Sequence, residues 1–385
     1  MDQFIKTEEQ FELIAKINDL KPVFRHREPE LDQLGSFPFA DFQDLKNIDY
    51  PTLTLPKEYG GQGLGLYEYI LAQEAISEGS GATGLSIGWH NGIVLEYAEN
   101  NHWEQDAADW LLKEIANGAI INSAATENNA GSPTRGALPR TTVIRDGKDL
   151  VINGEKTFTS ASPVLDYIIV TCTNEIGIIE MIVVPKDSPG VSILETWDML
   201  SMRGTASHTL ILENVRVSGN HILKALPATK TEAKGWMLHI PACYLGIAAA
   251  ARKYAVDFAA SYIPTSLGKP IAETPNIKHI IGEMELELSI ARHMLYGTVE
   301  RYEQAEDKTT LQESLDITKI AVTNGAIKIV DLAMKIVGSR ALSQSNPMHR
   351  YYLNVRAGLY NPPMEDMIKS KLASAAIDAA KKDEN

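Results

Sequence analysis

The sequence is short of three features that define large classes of proteins: cysteines, long apolar runs and an excess of basic residues. Cys172 and Cys243 are the only cysteines in 385 residues. Their spacing fits neither a disulfide framework nor a metal site, so we predict that both thiols are reduced and buried. No stretch approaches the roughly 20 apolar residues that a transmembrane helix needs. The formal net charge of −14 argues against nucleic-acid binding, which depends on a basic surface.

The rest of the composition is that of an ordinary globular protein, with 44% apolar and 22% charged residues. The first residues are acidic and lack the basic start and apolar run of a signal peptide. We therefore expect a cytoplasmic protein, and the length allows two or three domains.

Hydrophobic periodicity divides the chain into three parts. Residues 1–120 show the spacing of amphipathic helices, as in the stripe from Ala107 to Ile115. Residues 121–228 contain short β-branched runs bounded by Gly, Pro, Asp or Asn, which predict an antiparallel barrel or sandwich. Helical stripes return in residues 229–385. The sequence therefore predicts an N-terminal helical domain, a middle β domain and a C-terminal helical bundle.

The most informative segment is 122–162, which starts with a loop rich in glycine and hydroxyl groups at 126–132. Asp146-Gly147 then separates two apolar, β-branched runs, which predicts a β-hairpin because Gly accepts the positive φ of a tight turn. The segment ends with an aromatic residue among hydroxyls, Lys156-Thr157-Phe158-Thr159-Ser160. Together these features favour a platform for a flat polar ring and a phosphate.

This arrangement resembles the flavin-binding middle domain of the acyl-CoA dehydrogenase family, and the resemblance covers nearly the whole chain. It implies the family's C-terminal four-helix bundle. The loop is similar to the family's Thr-Glu-Pro-Gly-Ala-Gly-Ser segment, with Asn128 and Asn129 in place of Pro-Gly. The residues that the resemblance places at the flavin ring and phosphate are Ala125, Thr126, Gly131 and Ser132.

Three further segments extend the resemblance. Phe158 matches an aromatic residue that packs on the flavin ring, and Ser160, after Thr159, matches the hydroxyl that bonds to flavin N5. Residues 202–207 are similar to the family's Arg-Gly-Thr/Ser segment. Lys335, Gly338 and Ser339 resemble the turn that binds the adenosine end of FAD from a neighbouring subunit, with Lys335 where Gln is usual. The resemblance therefore implies FAD as cofactor and a homodimer or homotetramer.

The family's catalytic carboxylate is missing. Pro362 occupies the usual Glu position, the alternative position on an earlier helix falls near Trp236, and the Arg expected beside CoA falls near Met237. The candidates that remain are the following residues: Glu365 and Asp366, which follow Pro362; His90, at a position where the family's flavin monooxygenase branch uses a His; and Asn361, where that branch has a second His.

Three functions stay open on these residues. The first, which we favour, is an acyl-CoA dehydrogenase-type FAD enzyme of fatty acid metabolism, with an acyl-CoA substrate and an acceptor such as an electron-transfer flavoprotein. The second is a flavin-dependent monooxygenase or oxidase on the same scaffold. The third is a non-catalytic flavin-binding homologue. All three stay open because a fold alone does not decide function.

Overall fold

The fold is that of a computed structural model, which describes residues 1–128, 138–226 and 233–383. Five helices come first: α1 Glu8–Leu34, α2 Phe39–Asn47, α3 Leu66–Gly79, α4 Gly81–Asn100 and α5 Gln105–Ala116. Thr7 opens α1 with a capping box, in which its side chain accepts a hydrogen bond from the Gln10 amide. The apolar stripe predicted between Ala107 and Ile115 is buried on α5, which confirms that helix.

A single eight-stranded sheet follows the helices. Its strands are β1 Ile121–Ala124, β2 Thr142–Asp146, β3 Asp149–Thr159, β4 Tyr167–Thr173, β5 Ile179–Pro185, β6 Val191–Leu194, β7 His208–Ser218 and β8 Ile222–Leu226. Their order is β6-β7-β3-β2-β4-β5-β8, and β1 pairs with β4. The predicted hairpin is present as β2 and β3, with Gly147 at φ 64°.

The sequence predicts a purely antiparallel sheet, and the structure differs from this prediction. β1 runs parallel to β4, and Thr142 of β2 pairs in parallel with Thr173 at the end of β4. Parallel neighbours need a crossover between them, and here the β2–β3 hairpin separates β1 from β4 along the chain. The alternation of apolar and polar residues along a single strand does not reveal such a crossover between strands.

The C-terminal part is helical: α6 His239–Ser261, α7 Pro275–Gln304, α8 Gln312–Val337, α9 Met348–Arg356 and α10 Glu365–Asp383. Helix α6 packs against α3 and α8, so the two helical parts share one apolar core. The order of helices, sheet and helices confirms the predicted fold class. Cys172 and Cys243 are free and buried, as predicted.

The sequence predicts neither a transmembrane helix nor a metal site. None of the helices in the described part of the chain is long and apolar enough to cross a membrane. Nor do the described residues contain a group of three or more His, Cys, Asp or Glu side chains that could hold a metal ion.

Candidate active site

The end of β3 presents the predicted ring-binding residues. The pairing of β3 with β7 is irregular between Lys156 and Thr159, and Phe158 within this interval has φ 56°. Positive φ is uncommon for a bulky residue. The Phe158 side chain is 54% exposed and meets Trp197 edge to face, with 5.7 Å between ring centroids. The Thr159 side chain is fully buried, so it does not reach this surface.

A chain of hydroxyl groups lies beside the Phe158 ring. Thr205 Oγ1 donates to the Met202 carbonyl at 2.9 Å. It also lies 2.9 Å from Ser207 Oγ, which in turn lies 2.7 Å from Ser160 Oγ. In the Thr205–Ser207 and Ser207–Ser160 contacts either hydroxyl can be the donor, because each carries one proton and two lone pairs. Ser160 Oγ can therefore donate to an unprotonated ring nitrogen or accept from a ring N–H, depending on which way the chain is oriented.

A buried ion pair lies under this surface. Lys156 Nζ is 2.6 Å from Glu127 Oε1, and the two side chains are 0% and 4% exposed. The Glu127 carboxylate also accepts hydrogen bonds from the amides of Arg140 and Thr141 and from the Thr141 hydroxyl. Burial alone would raise the pKa of Glu127, but Lys156 and these donors outweigh it and lower the pKa below its usual value. Glu127 is therefore a charged anchor that ties the segment after β1 to the start of β2.

The predicted phosphate loop is described only in part. Ala125 is half-buried and Thr126 is exposed, and the Thr126 carbonyl accepts from the Thr157 amide at 2.8 Å. This bond holds the first part of the loop beside β3. Gly131 and Ser132 lie outside the described residues.

The predicted adenosine-side turn ends helix α8. Gly338 is at φ 70°, and Lys335, Gly338 and Ser339 are all exposed. These three residues belong to the C-terminal helical part, whereas Phe158 and Ser160 belong to the sheet.

His90 is enclosed in the core. Its Nδ1 accepts from the Ile121 amide at 3.1 Å, and its Nε2 lies 2.8 Å from the Pro51 carbonyl. A carbonyl accepts only from a protonated nitrogen, so both ring nitrogens are committed to backbone. Burial lowers the pKa of His90 to about 4. This His joins α4 to β1 and offers no nitrogen to a substrate, which removes it as the general base.

The candidates around Pro362 are also engaged. Glu365 opens α10 and pairs with Lys369 at 2.5 Å, an interaction that lowers the pKa of its carboxyl. Asp366 is exposed in the same helical turn. Asn361 Oδ1 accepts a hydrogen bond from the hydroxyl of Tyr244, a buried residue of α6. None of the three side chains is shown facing the Phe158 surface.

The segment before Pro362 is attached to the bundle by a buried lysine. Lys319 Nζ donates to the Gly358 carbonyl at 3.0 Å, and Lys319 is 3% exposed. Burial lowers the pKa of Lys319 to about 8. Together with the Tyr244–Asn361 bond, this contact determines where the turn at Pro362 lies.

A cluster of aromatic and polar side chains, which sequence reasoning did not identify, lies between α3, α4 and the start of α6. The His239 ring stacks on Trp236, with 5.7 Å between centroids and 7° between planes, and meets Trp89 edge to face at 4.8 Å. His239 Nδ1 lies 2.9 Å from the Trp236 carbonyl. Among the described residues, His239 Nε2, Trp236 Nε1 and Gln73 Oε1 have no hydrogen-bond partner although they are buried. Trp236 and His239 are three residues apart, which is the spacing of neighbours on one helix face. This spacing is the feature of the sequence from which the cluster could have been identified.

Contacts along α4 connect this cluster to the Phe158 surface. At the start of α4, Ala82 lies against Gly204, whose neighbour Thr205 accepts the amide hydrogen bond of Ala161. Further along α4, Gly88 lies against His239, because a Cβ added there would be 2.7 Å from His239 Cδ2. Six residues of helix rise about 9 Å. The cluster and the turn that contains Gly204 therefore contact the same helix, at positions about 9 Å apart along its axis.

Comparisons with known proteins show the family of the chain. Three family models match: the N-terminal domain of acyl-CoA dehydrogenase over residues 7–118, its middle domain over 122–215 and its C-terminal domain over 238–359. The Bacillus subtilis (strain 168) protein YdbM, which carries a provisional acyl-CoA dehydrogenase name, is 43% identical and covers 98% of this chain and 100% of its own length.

Solved structures with the same fold include different chemistries. A glutaryl-CoA dehydrogenase from Mycobacterium smegmatis in complex with FADH2 has a TM-score of 0.83 at 19% identity, covering 98% of this chain and 96% of its own. A nitrososynthase from Micromonospora carbonacea var. africana has a TM-score of 0.84 at 21% identity, covering 96% and 97%. These likenesses concern the fold alone.

Replacement of Lys156 by Met should destabilise the protein strongly. The change leaves the Glu127 carboxylate buried without its cation, which we expect to lower the free energy of unfolding by about 3–5 kcal/mol. Urea denaturation measures this difference. Lys148→Met, on the exposed hairpin turn, is the matched control and should change stability by less than about 0.5 kcal/mol. A loss below about 1 kcal/mol for Lys156→Met would contradict the anchoring role.

The buried state of His90 predicts a pH dependence of stability. The pKa of His90 is about 4 in the folded protein, whereas its reference value is 6.5. Between these two pH values the unfolded chain therefore binds a proton at His90 that the folded protein does not. The free energy of unfolding should therefore fall as pH drops from 6.5 to 4, by about 3 kcal/mol from this residue. His90→Gln should lower stability at pH 7 and remove this part of the slope.

Chemical denaturation of wild type and variant at several pH values measures the His90 contribution. The exposed His26 provides the control, since His26→Gln should keep the wild-type slope. Parallel slopes for wild type and His90→Gln would show that His90 is not held neutral by burial.

Proposed function

Because the chain belongs to the acyl-CoA dehydrogenase family, we propose that it is an FAD-dependent oxidoreductase that desaturates an acyl-CoA thioester between its α and β carbons. The observation that carries this proposal is the pairing of an exposed Phe158 ring with the Ser160 hydroxyl at the end of β3. This pairing fits a flavin, because a flat ring needs an apolar face to lie on and a hydrogen-bonding group at its reactive nitrogen.

Each residue of the platform has one task in this proposal. Phe158 supplies the face for the ring, and Ser160 Oγ bonds to the ring nitrogen that takes the hydride. The exposed hydroxyl of Thr126, with Gly131 and Ser132, binds the ring edge and phosphate. When bound, the flavin supplies the oxidising power, which no side chain of the protein has.

The adenosine end of FAD requires a second contact. Lys335, Gly338 and Ser339 form an exposed turn on the helical part, and we assign this turn to the cofactor of a neighbouring subunit. The protein then works as a homodimer or homotetramer in the cytoplasm, where an electron-transfer flavoprotein reoxidises it. Its place is in fatty acid metabolism.

An oxygen-activating function is the second candidate. The observation that favours it is the absence of a carboxylate at Pro362 and Trp236, together with the pairing of Glu365 with Lys369. A monooxygenase or oxidase does not need a base for the α-proton of a thioester. The two functions differ in what reduces the flavin and what reoxidises it.

The absorbance spectrum of the purified protein under anaerobic conditions separates these candidates. We expect flavin bands that bleach when a panel of straight-chain, branched and aryl-substituted acyl-CoA esters is added. Bands that persist with every ester, followed by oxygen consumption after chemical reduction, would favour the oxygen-activating function instead. Protein that binds no flavin after addition of FAD would contradict both.

Replacement of Ser160 by Ala tests the hydroxyl at the ring. We expect flavin binding to stay within a few-fold of wild type, and flavin reduction to slow by about tenfold or more, because an orienting hydrogen bond at the reactive nitrogen is lost. Stopped-flow absorbance measures the reduction. Ser192→Ala, at an exposed position of β6, should behave as wild type, and unchanged kinetics in Ser160→Ala would refute the assignment.

A further inference from the structure

One ring nitrogen of His239 has no hydrogen-bond partner among the described residues. Its Nδ1 lies 2.9 Å from the Trp236 carbonyl, and a carbonyl only accepts, so Nδ1 carries the proton. The lone pair must then be on Nε2, which is buried and without a partner among the described residues. His90 differs in this respect, because backbone groups engage both of its nitrogens.

We propose that His239 is the proton acceptor of this site and takes the α-proton of the acyl-CoA thioester, in place of the missing carboxylate. The assignment rests on the proposed function. His239 lies one helical turn after Trp236, where the alternative carboxylate would stand, and the stacked rings show that both side chains lie on the same face. The position of the base has thus moved by one turn along the start of α6.

The surroundings keep His239 neutral and ready to accept a proton. The groups packed on the ring are Tyr69, Gln73, Gly88, Trp89 and Trp236. None of them is charged near neutral pH, since burial raises the pKa of Tyr69 far above its usual value. Burial lowers the pKa of His239 to about 4, which is close to the value of roughly 4.3 for a Glu carboxylate. His239 is therefore neutral near pH 7, the form in which Nε2 carries a lone pair.

The same cluster offers a partner for the thioester carbonyl. Trp236 Nε1 is a buried N–H donor without a partner among the described residues, and an indole N–H only donates. A donor to the carbonyl oxygen acidifies the neighbouring α C–H bond. Trp89 is half-buried, so this edge of the cluster reaches the surface. An acceptor for the proton and a donor for the carbonyl are the two groups that α-proton removal requires.

The step balances as follows. The α C–H bond breaks and its proton goes to His239 Nε2. The electron pair of that bond becomes the α,β double bond, and a bound flavin would supply the oxidant that takes the β-hydrogen together with its electron pair. The imidazolium that forms is stabilised by its Nδ1–H bond to the Trp236 carbonyl, and it returns the proton to solvent when product leaves.

Exchange of the α-proton with deuterated water tests the assignment, because exchange requires the base and does not require turnover. The probe is each ester of the acyl-CoA panel, incubated anaerobically with FAD-loaded protein and analysed by mass spectrometry. His239→Asn is the main variant, since its amide can still donate to the Trp236 carbonyl while Nε2 is removed. We expect exchange to fall by about a hundredfold or more, with flavin content and thermal midpoint retained.

The control is His221→Asn. His221 also bonds through Nδ1 to a backbone carbonyl, that of Val183 at 2.9 Å, but it lies on the sheet, so exchange should stay at the wild-type rate. A second variant, His239→Ala, distinguishes chemistry from packing. Added imidazole should restore exchange in a saturable, pH-dependent manner, which a purely structural histidine would not show.

The outcomes separate the two proposals. The role of His239 is overturned if the exchange rate of His239→Asn stays within twofold of wild type. It is also overturned if imidazole does not restore exchange in His239→Ala. Either result leaves the dehydrogenase function standing. Wild type that neither exchanges nor bleaches with any ester overturns the proposed function together with this assignment. Loss of exchange in His239→Asn with rescue in His239→Ala supports both.

Discussion

The ion pair between Lys156 and Glu127 is the interaction on which the geometry of the platform depends. Lys156 lies on β3 two residues before Phe158, and Glu127 lies three residues after the end of β1. Two buried charges are tolerated only when they are paired and further hydrogen-bonded. Glu127 meets this condition through Lys156, the Arg140 amide and the amide and hydroxyl of Thr141. The carboxylate therefore holds the start of the predicted phosphate loop and the residues just before β2 against the strand that carries Phe158.

The irregular end of β3 is the second element of the platform. A regular strand would alternate its side chains between the two faces of the sheet. The interrupted pairing with β7 and the positive φ of Phe158 break this alternation, so that Lys156 is buried while Phe158, two residues later, is exposed. The hydroxyl chain from Ser160 to Thr205 then attaches this end of β3 to the turn that touches α4. The sheet and the helical core are thereby joined at the site itself.

Much of this protein could be predicted from local patterns. The stripe on α5, the hairpin around Gly147 and the order of helices, sheet and helices are confirmed, because each depends on residues that are close in sequence. Phe158 and Ser160 were identified through the spacing of a known motif. The parallel pairing of β1 with β4 was not predicted, because it depends on a crossover between strands more than 40 residues apart. The sequence offers His90 as a candidate base, and it could not show that both ring nitrogens meet backbone groups.

The sequence by itself determined the fold class and the hairpin, because periodicity and turn chemistry act over a few residues. It also located the motif that we propose to bind the ring. It also established that no carboxylate stands at Pro362 or Trp236. Only the tertiary structure decided what the two buried histidines contact. His90 meets backbone from two distant segments, whereas His239 meets one carbonyl and an aromatic wall. The chemistry of an imidazole depends on what its second nitrogen contacts, and that contact arises only when separate helices pack together.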